Sequence, residues 1–249
     1  MTKRTFLSLH PSVWVLHPDF PQLATFLATL PERFARGEGR LIYRGRNELR
    51  EFEIDGQVYV VKSFHRANWL NRIVYGFLRK SKARRSYEYA LLLRRLGIGS
   101  PTPVGYYADR HLGLFFHRSF YVCLRSALPY NYYDIIDRAL SPTDEERYLR
   151  AIARTTAHLH DAGMVHLDYS QGNILFGPGP DGEAQVELID LNRIRFHHVS
   201  LEAGCRNFAD RLPTTLEQRR IVAEEYARVR GFDGGECLRM LTKAYERKD

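Results

Sequence analysis

The chain has 249 residues, 44% of them hydrophobic and 27% charged, which is enough apolar material for one large domain or two small lobes and excludes a disordered chain. No apolar run reaches the length of a bilayer span, and His10 and Pro11 interrupt the N-terminal apolar stretch too early for a secretory leader. A net charge of +8 implies an anionic partner, and Cys123, Cys205 and Cys237, widely spaced and without a CxxC pair, read as free thiols of a reducing, cytoplasmic compartment.

Residues 1–38 read as a helix-containing arm. LIYRGRNELREFEI and QVYVVKSF then flank Asp55-Gly56, alternating and β-branched runs around a turn pair that predict a β-hairpin. Lys62 lies within the second of these apolar strands, a costly place for an amine that meets no acid. Residues 66–96 read as helical up to a stop at Gly97, with Leu91, Leu92 and Leu96 on an apolar face and Glu88 one turn before it. The turn-rich GIGSPTPVG leads to a second antiparallel pair, YYADR with RSFYVCL, and RSALPYN reads as a hinge. Ser141, Pro142 and Asp144 supply an N-cap, a first-turn proline and a capping box for a helix running to His160–Asp161, after which Gly163 turns the chain. His158 and His160 stand about 200° apart around that helix, so they share no metal-binding face.

MVHLDYSQGNILF follows, placing His166, Asp168 and Asn173 in an H-x-D-x-x-x-x-N pattern, and VELIDLN ends an apolar strand on Asp190. Sixteen residues (174 to 189) separate Asn173 from Asp190, room for a hairpin that returns Asp190 beside Asn173. In the tail, LEQRRIVAEEYARVR and ECLRMLTKAYERK read as two closing helices. Strands first and helices second predict an α+β architecture of two lobes, an antiparallel β-sheet N-lobe over 39–126 and a mainly helical, shortened C-lobe over 127–249.

Phosphoryl transfer needs a carboxylate for the attacking hydroxyl, and an amide and a carboxylate for divalent metal. A strand lysine, a glutamate on the next helix, a D-x-x-x-x-N loop and a strand-end aspartate occur here in the order of the protein-kinase-like fold. YRGRNELREFEIDG, KSF, SYEYALLL, GIGSPTP, HLDYSQGNIL and LIDLNR together resemble the lipopolysaccharide core kinases, which phosphorylate Kdo or heptose on lipid A-linked core sugar. The resemblance covers about residues 40 to 210. It implies that Lys62 bridges the α- and β-phosphates of ATP, held by Glu88, that Asp168 receives the acceptor proton, and that Asn173 and Asp190 ligate Mg²⁺. His166 braces the loop, Gly45 and Arg46 belong to the phosphate-covering hairpin, and backbone groups of the hinge near Leu124–Ala127, Leu124 and Arg125 among them, hold the adenine edge.

The departures narrow the acceptor. There is no G-x-G-x-x-G; YRGRNEL stands in its place, with Arg44, Arg46 and Asn47 around Gly45. Leu167 replaces the arginine that precedes the catalytic aspartate in regulated protein kinases, Ser170 replaces their loop lysine, and D-L-N replaces D-F-G. No A-P-E segment follows, so a small or lipid-linked acceptor is expected, with no activation-loop switch.

RANWLNRIVYGFLRKSKARR (66–85) interleaves apolar and basic residues, the composition of an interfacial helix on an anionic membrane or of an ordinary helix with a solvated basic face. Arg193 and Arg195, and after them Arg206 and Asn207, are candidates for gripping an anionic sugar or its phosphates. The expectation is an ATP- and Mg²⁺-dependent kinase acting on a sugar hydroxyl of lipopolysaccharide inner core, at the cytoplasmic face of the inner membrane. A protein kinase, a small-metabolite kinase and a non-catalytic polyanion-binding scaffold are the alternatives; no nucleic-acid module accompanies the basic patch, so no nucleic-acid partner is expected.

Overall fold

The computed structural model describes residues 12–64, 80–111, 115–209, 212 and 214–247. The chain divides into two compact units, residues 1–91 with 101–125, and residues 92–100 with 126–249. In the first unit β1 (Ser12–Leu16), β2 (Arg40–Arg44), β3 (Asn47–Ile54), β4 (Gln57–Phe64), β5 (Pro103–His111) and β6 (Phe115–Leu124) form one antiparallel sheet in the order β1-β5-β6-β4-β3-β2. Asp55 (φ 52°) and Gly56 (φ 74°) close β3 onto β4. Positive φ at both central positions is what a two-residue turn matched to strand twist requires, which is why Asp-Gly stands there.

Side chains alternate across this sheet, and each face meets a different helix set. Val61, Tyr107, Phe120 and Val122 bury against Leu23, Phe26, Leu27, Leu30 and Phe34, contributed largely by α1 (Ala24–Ala28) and α2 (Leu30–Ala35). Phe64, Tyr106 and Ala108 bury on the other face against Ala83 and Tyr87 of α3 (Lys82–Arg95). Lys62 alternates with Val61 and so stands on the α3 side, with its Nζ 5.5 Å from the Phe64 ring centroid. The N-terminal arm contains α1 and α2 as expected and also β1, which completes the sheet by pairing with β5. Within the stretch 66–96 that reads as helical, the described residues show α3, and residues 65–79, most of the basic and apolar stretch 66–85, lie outside the described residues.

The second unit contains β7 (Tyr130–Asn131), α4 (Tyr132–Ile136), α5 (Pro142–Asp161), β8 (Met164–His166), β9 (Ile174–Pro178), β10 (Ala184–Leu188), β11 (Ile194–Phe196), α6 (Leu201–Ala209), α7 (Leu216–Arg230) and α8 (Gly234–Glu246). Helix α5 starts as its sequence dictates: the Ser141 hydroxyl accepts from the Asp144 N–H at 3.2 Å, and Pro142 occupies a position whose N–H has no helical partner. Such a cap contributes about 1 kcal/mol. Tyr148, Leu149, Ile152, Ala153, Ala157 and Leu159 form its buried stripe. Tyr148 and Phe176 (5.0 Å between centroids) and Tyr130 (5.9 and 6.0 Å from them) anchor the short sheet β10-β9-β7. Helix α7 begins in a Thr215–Gln218 capping box. The free thiols Cys205 and Cys237 lie 4.0 Å apart, buried between α6 and α8. No helix among the described residues is long and apolar enough to cross a membrane.

Candidate active site

The loop after β8 is held by its own polar groups. The Asp168 N–H donates to His166 Nδ1 at 3.1 Å. That leaves the other ring nitrogen to carry the hydrogen, which it donates to the Ile189 carbonyl at 3.0 Å. His166 is fully buried, and desolvation holds its pKa below the ordinary histidine value despite that carbonyl and the nearby Asp168 and Asp190 carboxylates. It braces the loop as a neutral ring. Asn173 closes the loop from the other end, its Nδ2 donating to the Asp168 carbonyl (2.8 Å) and to Ser170 Oγ (3.0 Å).

The β9–β10 hairpin carries the second carboxylate to the same place. Register pairs Ile174 with Leu188, and the Ile189 N–H donates to the Asn173 carbonyl at 3.0 Å. Asp190 follows at once in the left-handed region (φ 57°, ψ 43°), a conformation that aspartate tolerates better than most residues. Asn192 Nδ2 donates to Asp190 Oδ1. With both amide hydrogens of Asn173 engaged, its Oδ1 is the oxygen it offers a cation. An amide oxygen and a carboxylate at one end of a hairpin are hard donors of the kind Mg²⁺ takes, so these residues fit that ion.

Of the two candidate substrate arginines, Arg193 stands at the site. Its Nη1 lies 3.5 Å from Asp168 Oδ2, and its carbonyl accepts from the Leu167 N–H at 2.9 Å. The pair is half exposed and contributes little to stability. Its significance is a cation beside the carboxylate. Arg195 is exposed on β11, opposite Val165. Ser170 and Asn192 were not among the expected site residues, although both occupy motif positions that depart from the protein-kinase pattern. Asn207 was expected as a candidate for an anionic acceptor, and it instead donates to the His166 carbonyl at 3.0 Å from 41 residues away, a contact with no local signal in the sequence.

In the sheet unit Glu88, expected to hold Lys62, is engaged by Lys80 and by Arg84, each at 2.7 Å. Burial works against its ionised form, but hydrogen bonds from those two cations outweigh it and hold the carboxyl below the usual range. Arg84 lies one helical turn before Glu88, where an ion partner needs no tertiary arrangement. At the end of β6 the Leu124 N–H donates to Thr102 and the Arg125 N–H to Val58, at 2.9 and 3.0 Å. The backbone N–H groups of these two residues are therefore engaged within the unit. Gly45 and Arg46 form the tip of the β2–β3 hairpin, where the Gly45 N–H donates to Asn47 at 3.0 Å.

An antiparallel sheet unit bearing a strand lysine, and a helical unit bearing this loop and hairpin, define a phosphotransferase of the protein-kinase-like fold. A family model described as the lipopolysaccharide kinase (Kdo/WaaP) family matches residues 44–230, and the chain belongs to that family, whose members phosphorylate sugar hydroxyls. Among solved structures, "WaaP in complex with acyl carrier protein" is 20% identical with a TM-score of 0.64, over 94% of this chain and 97% of that one. A Stt7 homolog from Micromonas algae soaked with ATP is 15% identical with a TM-score of 0.45, over 62% of this chain and 48% of that one. No curated protein matches the chain.

The buried histidine of α5 gives the fold an acid limit. Desolvation depresses His160 from 6.5 to about 4 against the opposing hydrogen bond of Asn207. Between these values the unfolded chain binds a proton that the folded chain refuses. Stability is therefore fully present above about pH 6.5 and falls as pH drops towards 4, by up to about 3 kcal/mol. Thermal melts from neutral pH downward should show this decline, and His160→Gln should flatten it. An unchanged slope in that variant would assign the decline to other groups.

Proposed function

We propose that this kinase transfers the γ-phosphoryl group of ATP to a Kdo or heptose hydroxyl of lipopolysaccharide inner core. The observation that carries this reading is the grouping of Asp168, Asn173 and Asp190 around one loop and hairpin, with the Arg193 guanidinium 3.5 Å from Asp168. The acceptor hydroxyl attacks the γ-phosphorus, and its proton passes to the Asp168 carboxylate. A new O–P bond forms as the bond to the β-phosphate oxygen breaks, and ADP leaves with the electron pair. Asn173 Oδ1 and the Asp190 carboxylate would hold Mg²⁺, which would supply screening of the phosphate charge. Lys62 holds the α- and β-phosphates, and Arg193, with Arg195, receives an anionic group of the sugar.

ATP as donor assigns the reaction to the cytoplasm, with the lipid-linked acceptor presented on the inner leaflet. Peripheral contact through the basic and apolar stretch 66–85 belongs to the same proposal, on the strength of its composition. The deciding experiment is mass spectrometry of lipid A–core from a strain deleted for this gene. Loss of one phosphate from an inner-core sugar, restored by the wild-type gene and not by Asp168→Asn, is the expected result. An unchanged phosphate pattern, with ³²P from ATP appearing on polypeptide instead, would replace this reading with a protein kinase.

A further inference from the structure

Behind the Asp168 loop, a chain of buried polar side chains ties three helices to it. Asn207 of α6 faces the His166 carbonyl, which can only accept, so the amide nitrogen points there (3.0 Å) and its Oδ1 is left as an acceptor. His160 of α5 lies 3.1 Å from that oxygen through Nε2, which must therefore carry the ring hydrogen. Its bare Nδ1 accepts from the Tyr226 hydroxyl of α7 at 2.7 Å. The Tyr226 oxygen accepts from Arg230 Nη1 at 2.6 Å. Arg230 is fixed in turn by Asp161 and the Val199 carbonyl, both at 2.8 Å. Every hydrogen points the same way, from Arg230 to the loop, and no link reverses without setting two donors or two acceptors face to face.

His160 and Tyr226 are 1% exposed and Asn207 is 7% exposed. The arrangement also depends on Gly204 of α6, because a Cβ there would collide with the Tyr226 hydroxyl and crowd His160 Nδ1. Apolar side chains of similar volume would stabilise such a site as well or better, whereas a fully satisfied polar chain specifies one geometry. Its last link grips His166, the residue whose ring receives the Asp168 N–H and donates to Ile189, next to Asp190.

We infer that Asn207, His160 and Tyr226 are positioning residues, which set the placement of Asp168 relative to Asp190 through the His166 carbonyl. The inference rests on Asp168 being the catalytic carboxylate. Steady-state transfer from labelled ATP to lipopolysaccharide purified from the deletion strain tests it, with the full-length protein. Asn207→Leu should lower kcat about 10- to 100-fold while the KM for ATP stays within about threefold, as expected for a displaced catalytic group. Asn207→Asp keeps the acceptor for His160 but loses the donor to His166, so it should fall with Asn207→Leu. Tyr226→Phe should lower kcat several-fold. Imidazole ¹⁵N spectra of the wild type near neutral pH should show His160 and His166 both neutral and protonated at Nε2.

A merely structural role predicts a lower melting temperature with unchanged kcat per folded molecule in all three variants, and that result overturns the inference. So does an Nδ1-protonated or cationic His160, which is read without turnover or any variant. Full turnover by Asp168→Asn would remove the catalytic reading and this inference together. Full turnover by Asn207→Leu in an enzyme that requires Asp168 would remove this inference alone.

Discussion

Asp168→Asn should lower kcat on the order of 10² to 10⁴-fold, the contribution of a positioned proton acceptor, while ATP binds with nearly unchanged affinity. The loop geometry makes this variant clean. Asp168 is held through its main chain, whose N–H donates to His166 and whose carbonyl accepts from Asn173, and an isosteric amide disturbs neither bond. What changes is one negative charge, and with it the ion pair to Arg193. That pair is too exposed to hold the fold together, so the melting temperature should stay close to wild type. Turnover in single-turnover mixing with labelled ATP, together with ATP affinity by calorimetry, separates the two readings. If Asp168 only caps its loop, the amide caps it equally well and turnover survives.

The sequence reading succeeded where local chemistry decides. Asp55-Gly56 requires a tight hairpin, Ser141-Pro142 requires a helix start, and the interval between Asn173 and Asp190 accommodates only a short hairpin; each stands where expected. It also anticipated α7 and α8, whose amphipathic runs are long. Helix α6 escaped because it is short and carries Gly204 in its middle, a residue that lowers helix propensity by about 1 kcal/mol. Yet α6 supplies Asn207, and no local pattern links that residue to a histidine 41 positions earlier. At Glu88 the sequence reading looked to a distant strand lysine and passed over the nearby charges: Arg84, at i−4 on the same helix, and Lys80 both engage its carboxylate. A motif read across elements names participants, whereas the ion partners that a residue finds one helical turn away need no motif to appear.

Asp190→Asn should remove the Mg²⁺-dependent part of ATP affinity and cost roughly 10² to 10³ in rate, the scale of several kcal/mol of metal-assisted charge stabilisation. Backbone strain separates this effect from a folding defect. Asp190 sits at φ 57° and ψ 43°, where asparagine is accommodated almost as well as aspartate, whereas alanine costs about 1–2 kcal/mol. Asn192 donates to Asp190 Oδ1, and an amide oxygen accepts that hydrogen as readily as a carboxylate. Asp190→Asn therefore keeps the turn and loses the charge, and Asp190→Ala loses both. Calorimetric titration of ATP with and without Mg²⁺ should show the metal increment abolished in both variants, with a depressed melting temperature only in Asp190→Ala. An Mg²⁺ increment of wild-type size in Asp190→Asn would mean that this carboxylate serves the hairpin end and not the cation. The cation would then have to be held by oxygens other than the Asp190 pair, and Asn173 alone would be left in the metal role.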